Sequence, residues 1–287
     1  MAVAILGILS MLTGAAINNL GIVLQKRQVN LRSGRGDKRQ VSDIGLFLRD
    51  PVWVLGIVMQ TLLIWPFFLY ALDTIGVTLA QPLSNSGIIV LVLGLVYFLG
   101  EKLKRTEALG VVLLVLSMIS IGLGGVSGDI TQQSVLNPES SMQLGYLVMC
   151  VLVLSAILAA LSAIVFRVQI VTLGLLSGSC YAIVSISMQV FIVSLEDLSQ
   201  IPAVLMFTLG LVGTVLGTVF GILTTQEAFK RGRGVNIIPF MQITMNLIPI
   251  AAGLWVFGQV LSQPLFFWLG AACIIIAASM LARFQEQ

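Results

Sequence analysis

The stretch Leu79–Arg105, LAQPLSNSGIIVLVLGLVYFLGEKLKR, decides the fold of this chain. It begins with polar side chains around Pro82, continues as an apolar segment long enough to cross a bilayer, and stops at Gly100. Proline lacks a backbone N–H, so carbonyls near Pro82 are expected to lack donors in a region without water. Such carbonyls beside amide side chains predict a ligand site. The alternative is a kinked helix whose polar residues bond only to neighbouring helices.

The composition is that of a polytopic membrane protein. Of the 287 residues, 58% are hydrophobic and 9% are charged, and the mean hydropathy is +1.06. Histidine is absent, which excludes a His-ligated metal and a His-containing catalytic triad. Cys150, Cys180 and Cys273 lie in apolar runs without CxxC spacing and are predicted to be small buried side chains. No nucleophile/base pair or carboxylate cluster is visible, so we do not predict an enzyme. We expect no cofactor.

The apolar runs predict an all-α fold of nine transmembrane helices, at about residues 2–25, 51–72, 76–99, 106–126, 143–166, 170–195, 203–229, 235–257 and 264–281. Loops after helices one, three, five, seven and nine hold all 15 Lys and Arg residues, and the opposite loops hold none. Because cytoplasmic loops collect these residues, we predict an N-terminus outside and a C-terminus in the cytoplasm of a plasma or inner membrane. The basic segment 26–50 is expected to lie near lipid headgroups rather than to bind nucleic acid.

The two halves of the chain predict an inverted-topology repeat, with helices one to four matching helices six to nine. Ala71 precedes Pro82 by eleven residues, as Ala228 precedes Pro239, and Leu99-Gly100-Glu101 corresponds to Phe257-Gly258-Gln259. The single helix five between the copies makes the second copy enter from the opposite face. The predicted organisation is a first repeat at 1–126, an extracytoplasmic loop at 127–142, the linking helix five at 143–167 and a second repeat at 168–287.

In such a plan the substrate site lies near the midplane between paired, proline-broken helices. We therefore expect Pro82 and Pro239 to interrupt helices three and eight. The candidate substrate-binding residues are Gln81, Ser84, Asn85, Asn236, Gln242 and Asn246, with Asn18, Asn19, Tyr181 and Gln189 lining the route. For each residue the alternative is an interhelical hydrogen bond worth roughly 1 kcal/mol.

The pattern of helix three, from its polar start with proline to Leu99-Gly100-Glu101-Lys102-Leu103, resembles the EamA-like repeat of the drug/metabolite transporter superfamily. The nine-helix layout, with helix one ending in Leu24-Gln25-Lys26-Arg27, is similar to the NIPA-type magnesium transporter branch. The resemblance covers about residues 5–283. It implies two bundles that rock about a central cavity and pass a substrate to either side, but it does not fix the substrate.

The chain departs from the NIPA-type pattern in helix two, where the family carries a glutamate and Gln60 to Trp65 contains no acid. Because Mg²⁺ favours carboxylates or retained water, the neutral amides better suit an organic solute or the headgroup of an amphiphile. The sequence therefore predicts a secondary transporter of a small polar metabolite, a cation such as Mg²⁺, or an amphiphile, with any metal ligands unknown. The alternative is a non-transporting subunit that binds a partner membrane protein, through Gly210, Gly213, Gly217 and Gly221 of helix seven. A second copy of the chain, forming a homodimer, is the other candidate partner.

Overall fold

A computed structural model describes residues 2–33, 47–68, 70–71, 74, 84, 87–100, 105–124, 126–127 and 130–282 of the chain, and these residues are almost entirely helical. Within these ranges, six helices are long and apolar enough to cross a membrane, and three further apolar helices are shorter. The predicted all-α, membrane-embedded class is thereby confirmed. The count of nine crossings and the repeat stay predictions.

The main elements in chain order are α1 (Ala2–Ser33), α2 (Pro51–Val58), α3 (Ile88–Leu99), α4 (Arg105–Gly124), β1 (Val126–Ser127), α5 (Pro138–Ile164), α6 (Gln169–Ser194), α7 (Ile201–Arg231), α8 (Gly234–Trp255), β2 (Val260–Leu261) and α9 (Pro264–Ala282). The two short strands pair antiparallel. The chain divides into two compact units. The first unit comprises Met1–Gly125, Phe229–Asn236 and Gln263–Gln287, and the second comprises Val126–Ala228 and Ile237–Ser262.

In the first unit, α1 and α2 differ from the predicted helices at their ends. Helix α1 continues to Ser33, beyond the predicted end at Gln25, because Lys, Arg, Gln and Leu favour a helix and Val29 is fully buried. Helix α2 begins as predicted at Pro51, where the Asp50 carboxylate accepts hydrogen bonds from the next backbone N–H groups. After Val58 it passes into a π-helical turn, Met59–Leu63, which was not predicted.

Helices α4 and α9 pack closely within the first unit. A Cβ placed on Gly124 would lie 2.7 Å from the Cβ of Phe267, and one on Gly270 would lie 2.7 Å from the carbonyl oxygen of Ser117. The Ser120 hydroxyl adds a 2.6 Å hydrogen bond to a backbone carbonyl of α9. Helix α9 therefore belongs to this compact unit, although the predicted second repeat contains it. The division into compact units does not test the predicted sequence repeat, so the repeat boundaries stay a prediction.

In the second unit, the glycine series of α7 packs against α6. A Cβ on Gly210 would lie 2.7 Å from both Phe191 N and Ser187 O, and one on Gly213 would lie 2.3 Å from Ser187 Oγ. Further along the helix, Gly217 faces Val184 and Gly221 faces the Tyr181 ring. The predicted close approach of another backbone is confirmed, and the approaching element is α6 of the same unit.

The predicted loop 127–142 contains more structure than expected. A short helix, Gln132–Leu136, is closed by a reciprocal capping box between Thr131 and Ser134. Helix α5 then begins at Pro138, capped by Asn137, rather than at the predicted Gln143. Asn before Pro is a strong helix start, and it outweighs the polar composition of this segment.

The three cysteines were predicted to be buried, and only Cys180 is. Cys150 is exposed on α5, which makes the prediction wrong for this residue, and Cys273 is half-buried. A thiol behaves as a small hydrophobe, so an apolar run does not distinguish packing against protein from contact with lipid tails.

Two turns bear on the repeat. Gly100 follows α3 and Gly258 follows α8, and the predicted internal repeat makes these two glycines equivalent. They adopt φ of 67° and 63°, and no other described residue has positive φ. The left-handed conformation ends a helix and favours glycine. In contrast, α8 runs continuously through Pro239 and Pro249, so the expected interruption at Pro239 is wrong. Pro239 is the sixth residue of α8, so its missing N–H removes one hydrogen bond of the helix, but the helix continues through it.

Candidate functional site

A crossing of α1 and α2 in the first unit places two glutamines beside a glycine pair. A Cβ on Gly21 would lie 2.5 Å from Gly56 O, and one on Gly56 would lie 2.7 Å from Gly21 O, so only glycine permits this contact. Gln25 and Gln60 each stand one turn after their glycine, and their Cγ atoms lie beside the glycine of the other helix. Close backbone contact thus packs both amide side chains against the crossing.

Gln60 lies in the π-helical turn Met59–Leu63. Its Nε2 is buried and has no hydrogen-bond partner among the described residues. π-helical turns are frequent at functional sites, because the extra residue changes the direction of the side chains that follow. Gln60 therefore offers an unused N–H donor inside an apolar helix.

Asn19 of α1 packs against the start of helix three. Its Nδ2 donates a 2.8 Å hydrogen bond to Ala15 O, and a Cβ on Gly87 would lie 2.4 Å from the same nitrogen. Gly87 immediately follows the polar residues around Pro82. Asn19 is buried, whereas Asn18 and Ser84 are half-buried. Gln81, Pro82 and Asn85 lie outside the described residues.

Lys26 is the one lysine among the described residues that is almost completely buried, with 2% exposure. Its Nζ donates hydrogen bonds to Phe229 O at 2.5 Å and Gly232 O at 2.6 Å, and lies 5.2 Å from the centroid of the Phe229 ring. These carbonyls end α7, where the negative end of the helix dipole favours a cation. Lys26 therefore fastens α1 to the turn that leads into α8.

Asn236 stands at the start of α8, just after that turn. Its backbone N–H donates a 3.1 Å hydrogen bond to Arg233 O. Its side chain is buried, with 5% exposure, and its Oδ1 has no hydrogen-bond partner among the described residues. Gly234, two residues earlier, packs on Leu95 of α3, which is fully buried. The turn is thus held by α1 and α3, and it presents an unused acceptor.

In the second unit, two of the predicted residues form a pair on α8. Asn246 Nδ2 donates to Gln242 O and Gln242 Oε1, both at 2.8 Å. Both side chains are half-buried. Tyr181 and Gln189 of α6 are also half-buried, and the Tyr181 ring packs on Gly221. One turn before Tyr181, the buried hydroxyl of Ser177 hydrogen-bonds to that of Thr225.

The predicted residues are thus divided between the units. Ser84, Asn18, Asn19 and Asn236 belong to the first, whereas Tyr181, Gln189, Gln242 and Asn246 belong to the second. Sequence reasoning missed Lys26, Gln25 and Gln60. A usable signal was present for the glutamines, because Gly21 and Gly56 each precede a glutamine by four residues. Across the described ranges, no three Cys, Asp or Glu side chains group as a metal site requires.

Comparisons with protein-family models, with curated proteins and with solved structures found no significant match for this chain. The resemblance to drug/metabolite transporters therefore stays a prediction from the sequence.

Proposed function

We propose that this protein is a secondary transporter that moves a small polar metabolite, a cation such as Mg²⁺, or an amphiphile by alternating access. The observation that carries the proposal is Asn236, whose buried Oδ1 has no hydrogen-bond donor among the described residues. An unpaired buried oxygen costs about 1–3 kcal/mol, and a bound donor would recover that cost. A substrate N–H would satisfy it.

The chemistry of the amides favours a neutral polar solute or a headgroup within that range. Asn236 Oδ1 is an acceptor and Gln60 Nε2 is a donor, and both are unused among the described residues. Such groups recognise a solute that carries both N–H or O–H donors and oxygen acceptors. Mg²⁺ is the least favoured candidate, because amides without carboxylates hold a hydrated dication weakly.

The test is transport by purified protein in liposomes, with Mg²⁺, amines, amino acids and lipid headgroups screened as substrates. Once a substrate is found, Asn236→Leu is expected to reduce its flux at least tenfold. The variant should keep the thermal stability of the wild type, because leucine removes an unpaired polar atom and remains apolar and buried. A purely structural role for Asn236 predicts the opposite pattern, with lower stability and retained flux.

Thr208→Val is the matched control. Thr208 is exposed on α7, and its hydroxyl bonds only to Val204 O of its own helix among the described residues, so flux should not change. Gln242→Leu breaks the α8 amide pair and is expected to lower flux as well. Wild-type rates in both Asn236→Leu and Gln242→Leu would contradict the proposal.

The glycine face of α7 does not favour the subunit alternative. Gly210, Gly213, Gly217 and Gly221 pack on α6, so the surface that this alternative assigned to a partner is already occupied within the chain.

A further inference from the structure

An apolar groove runs between α3 and α4 in the first unit. It encloses about 370 Å³ and is lined by Ile89, Val92 and Leu93 of α3 and by five residues of α4 from Ala108 to Leu116. All eight lining residues are aliphatic. Val92 is buried at the base, whereas Leu93, Val112 and Leu116 are about half exposed along the rims. The groove is therefore open to the hydrocarbon that surrounds membrane helices, and it offers nothing to a polar solute.

The groove extends over about 12 Å of α4, which is most of the thickness of one lipid leaflet. A rise of about 1.5 Å per residue places Ala108 roughly 5 Å and Leu116 roughly 16 Å beyond Arg105 along the α4 axis. Half of a bilayer core is about 15 Å thick. A chain lying in the groove from Ala108 to Leu116 would therefore reach from just below the headgroups to the midplane.

The groove is large enough for part of an acyl chain. A single water-sized group needs about 10–15 Å³ of cavity volume, so 370 Å³ accommodates a run of methylene groups. Each CH₂ placed there would contribute about 0.8 kcal/mol if it left water. Inside a bilayer that driving force is absent, so shape and a headgroup contact must provide the preference.

Arg105 is a cationic side chain near the Ala108 end of the groove. It is exposed at the first residue of α4, one turn before the groove begins at Ala108. A guanidinium binds phosphate through two parallel N–H donors. The phosphodiester is common to all phospholipids, so it is the headgroup component that Arg105 would bind.

We propose that the α3–α4 groove binds one phospholipid of the surrounding bilayer, with an acyl chain between Val92 and Val112 and its phosphodiester on Arg105. The positive-inside pattern places this lipid in the cytoplasmic leaflet. The site is separate from the buried amides, so it does not depend on the transport proposal.

The experiment is native mass spectrometry of the delipidated full chain, with phosphatidylethanolamine or phosphatidylglycerol added separately in detergent. The wild type should retain one molecule of either lipid. Val112→Trp fills the groove from its exposed rim and should reduce the lipid-bound fraction at least fivefold, as should Ala108→Leu at the headgroup end. Arg105→Gln should reduce it severalfold for both lipids.

Leu123→Trp is the matched control, because Leu123 is equally exposed on α4 but lies outside the groove. It should bind lipid like the wild type. Equal retention by Leu123→Trp, Val112→Trp and Ala108→Leu would overturn the site. If the wild type formed a dimer instead of a lipid adduct, and Val112→Trp did not form that dimer, the groove would be assigned to a second copy. Retention that does not depend on Arg105 would overturn the headgroup assignment.

Discussion

A lysine ammonium enclosed by protein must replace the water that it loses, and Lys26 does so with backbone carbonyls. Phe229 O lies in the last turn of α7, where carbonyls have no partner within the helix, and Gly232 O belongs to the residue that follows the helix. The lysine and the helix end therefore satisfy each other. The nearby Phe229 ring adds a cation–π contact within the same enclosed region.

Lys26→Met is expected to destabilise the protein by about 2–4 kcal/mol, because the two carbonyls would lose a charged donor while the apolar stem is retained. The apparent Tm in detergent, followed by tryptophan fluorescence, should fall by several degrees. Arg27→Met is the matched control: Arg27 is the next residue of α1 but is exposed, and its loss should change stability by less than about 0.5 kcal/mol. Equal Tm values for the two variants would contradict the structural role of Lys26.

Helices in lipid gain little from burying apolar side chains, so close packing and hydrogen bonds determine which surfaces meet. In this chain, glycines lie at the surfaces where helices meet. Gly21 meets Gly56 where α1 crosses α2, Gly124 meets Phe267 where α4 crosses α9, and Gly210 meets α6. At each contact a Cβ would overlap a neighbouring backbone or Cβ atom.

Gly210→Ala tests this packing. Alanine is the better helix former by about 1 kcal/mol, but its Cβ would lie 2.7 Å from Phe191 N and Ser187 O, and backbone cannot move aside cheaply. We expect a net loss of about 1–3 kcal/mol in thermal unfolding. Gly145→Ala on α5 has no heavy atom within 4 Å of the new Cβ and should be neutral or stabilising. If both variants gain stability, α6 and α7 do not pack as described.

The elements also show what the sequence can and cannot predict. Apolar length gave the helical class, and the glycine spacing of α7 gave its packing face, because both are local properties. The burial of Lys26 could not be predicted, since Arg27 beside it has the same chemistry and only the partner carbonyls distinguish the two. The sequence of Met59–Leu63 likewise contains no signal that distinguishes a π-helical turn from an α-helical one. The amide residues of the candidate site could be predicted, because they are polar residues within apolar helices. The lack of a hydrogen-bond partner for Asn236 Oδ1 among the described residues could be recognised only from the structure.

For the whole molecule, the positions of Lys and Arg predict on which side of the membrane each loop lies. This prediction does not depend on how the helices pack. All 15 Lys and Arg residues fall in alternate loops of the predicted nine-helix plan. Positive residues near membrane helices are retained in the cytoplasm during insertion, so this distribution predicts a side of the membrane for every loop. An error of one in the helix count would reverse the assignment of all loops after it.

Single-cysteine labelling in intact cells tests the assignment, starting from a variant without the three native cysteines. Glu139, in the first turn of α5, and Gln200, just before α7, are exposed and belong to predicted loops without Lys or Arg. Glu139→Cys and Gln200→Cys should react with a membrane-impermeant maleimide from outside. Arg105→Cys should react only after permeabilisation, because it follows the predicted third crossing. Labelling of Glu139→Cys and Arg105→Cys from the same side would leave an even number of crossings between residues 105 and 139. That outcome would remove α4 from the spanning helices, shift every later loop, and exclude the inverted orientation of the second copy.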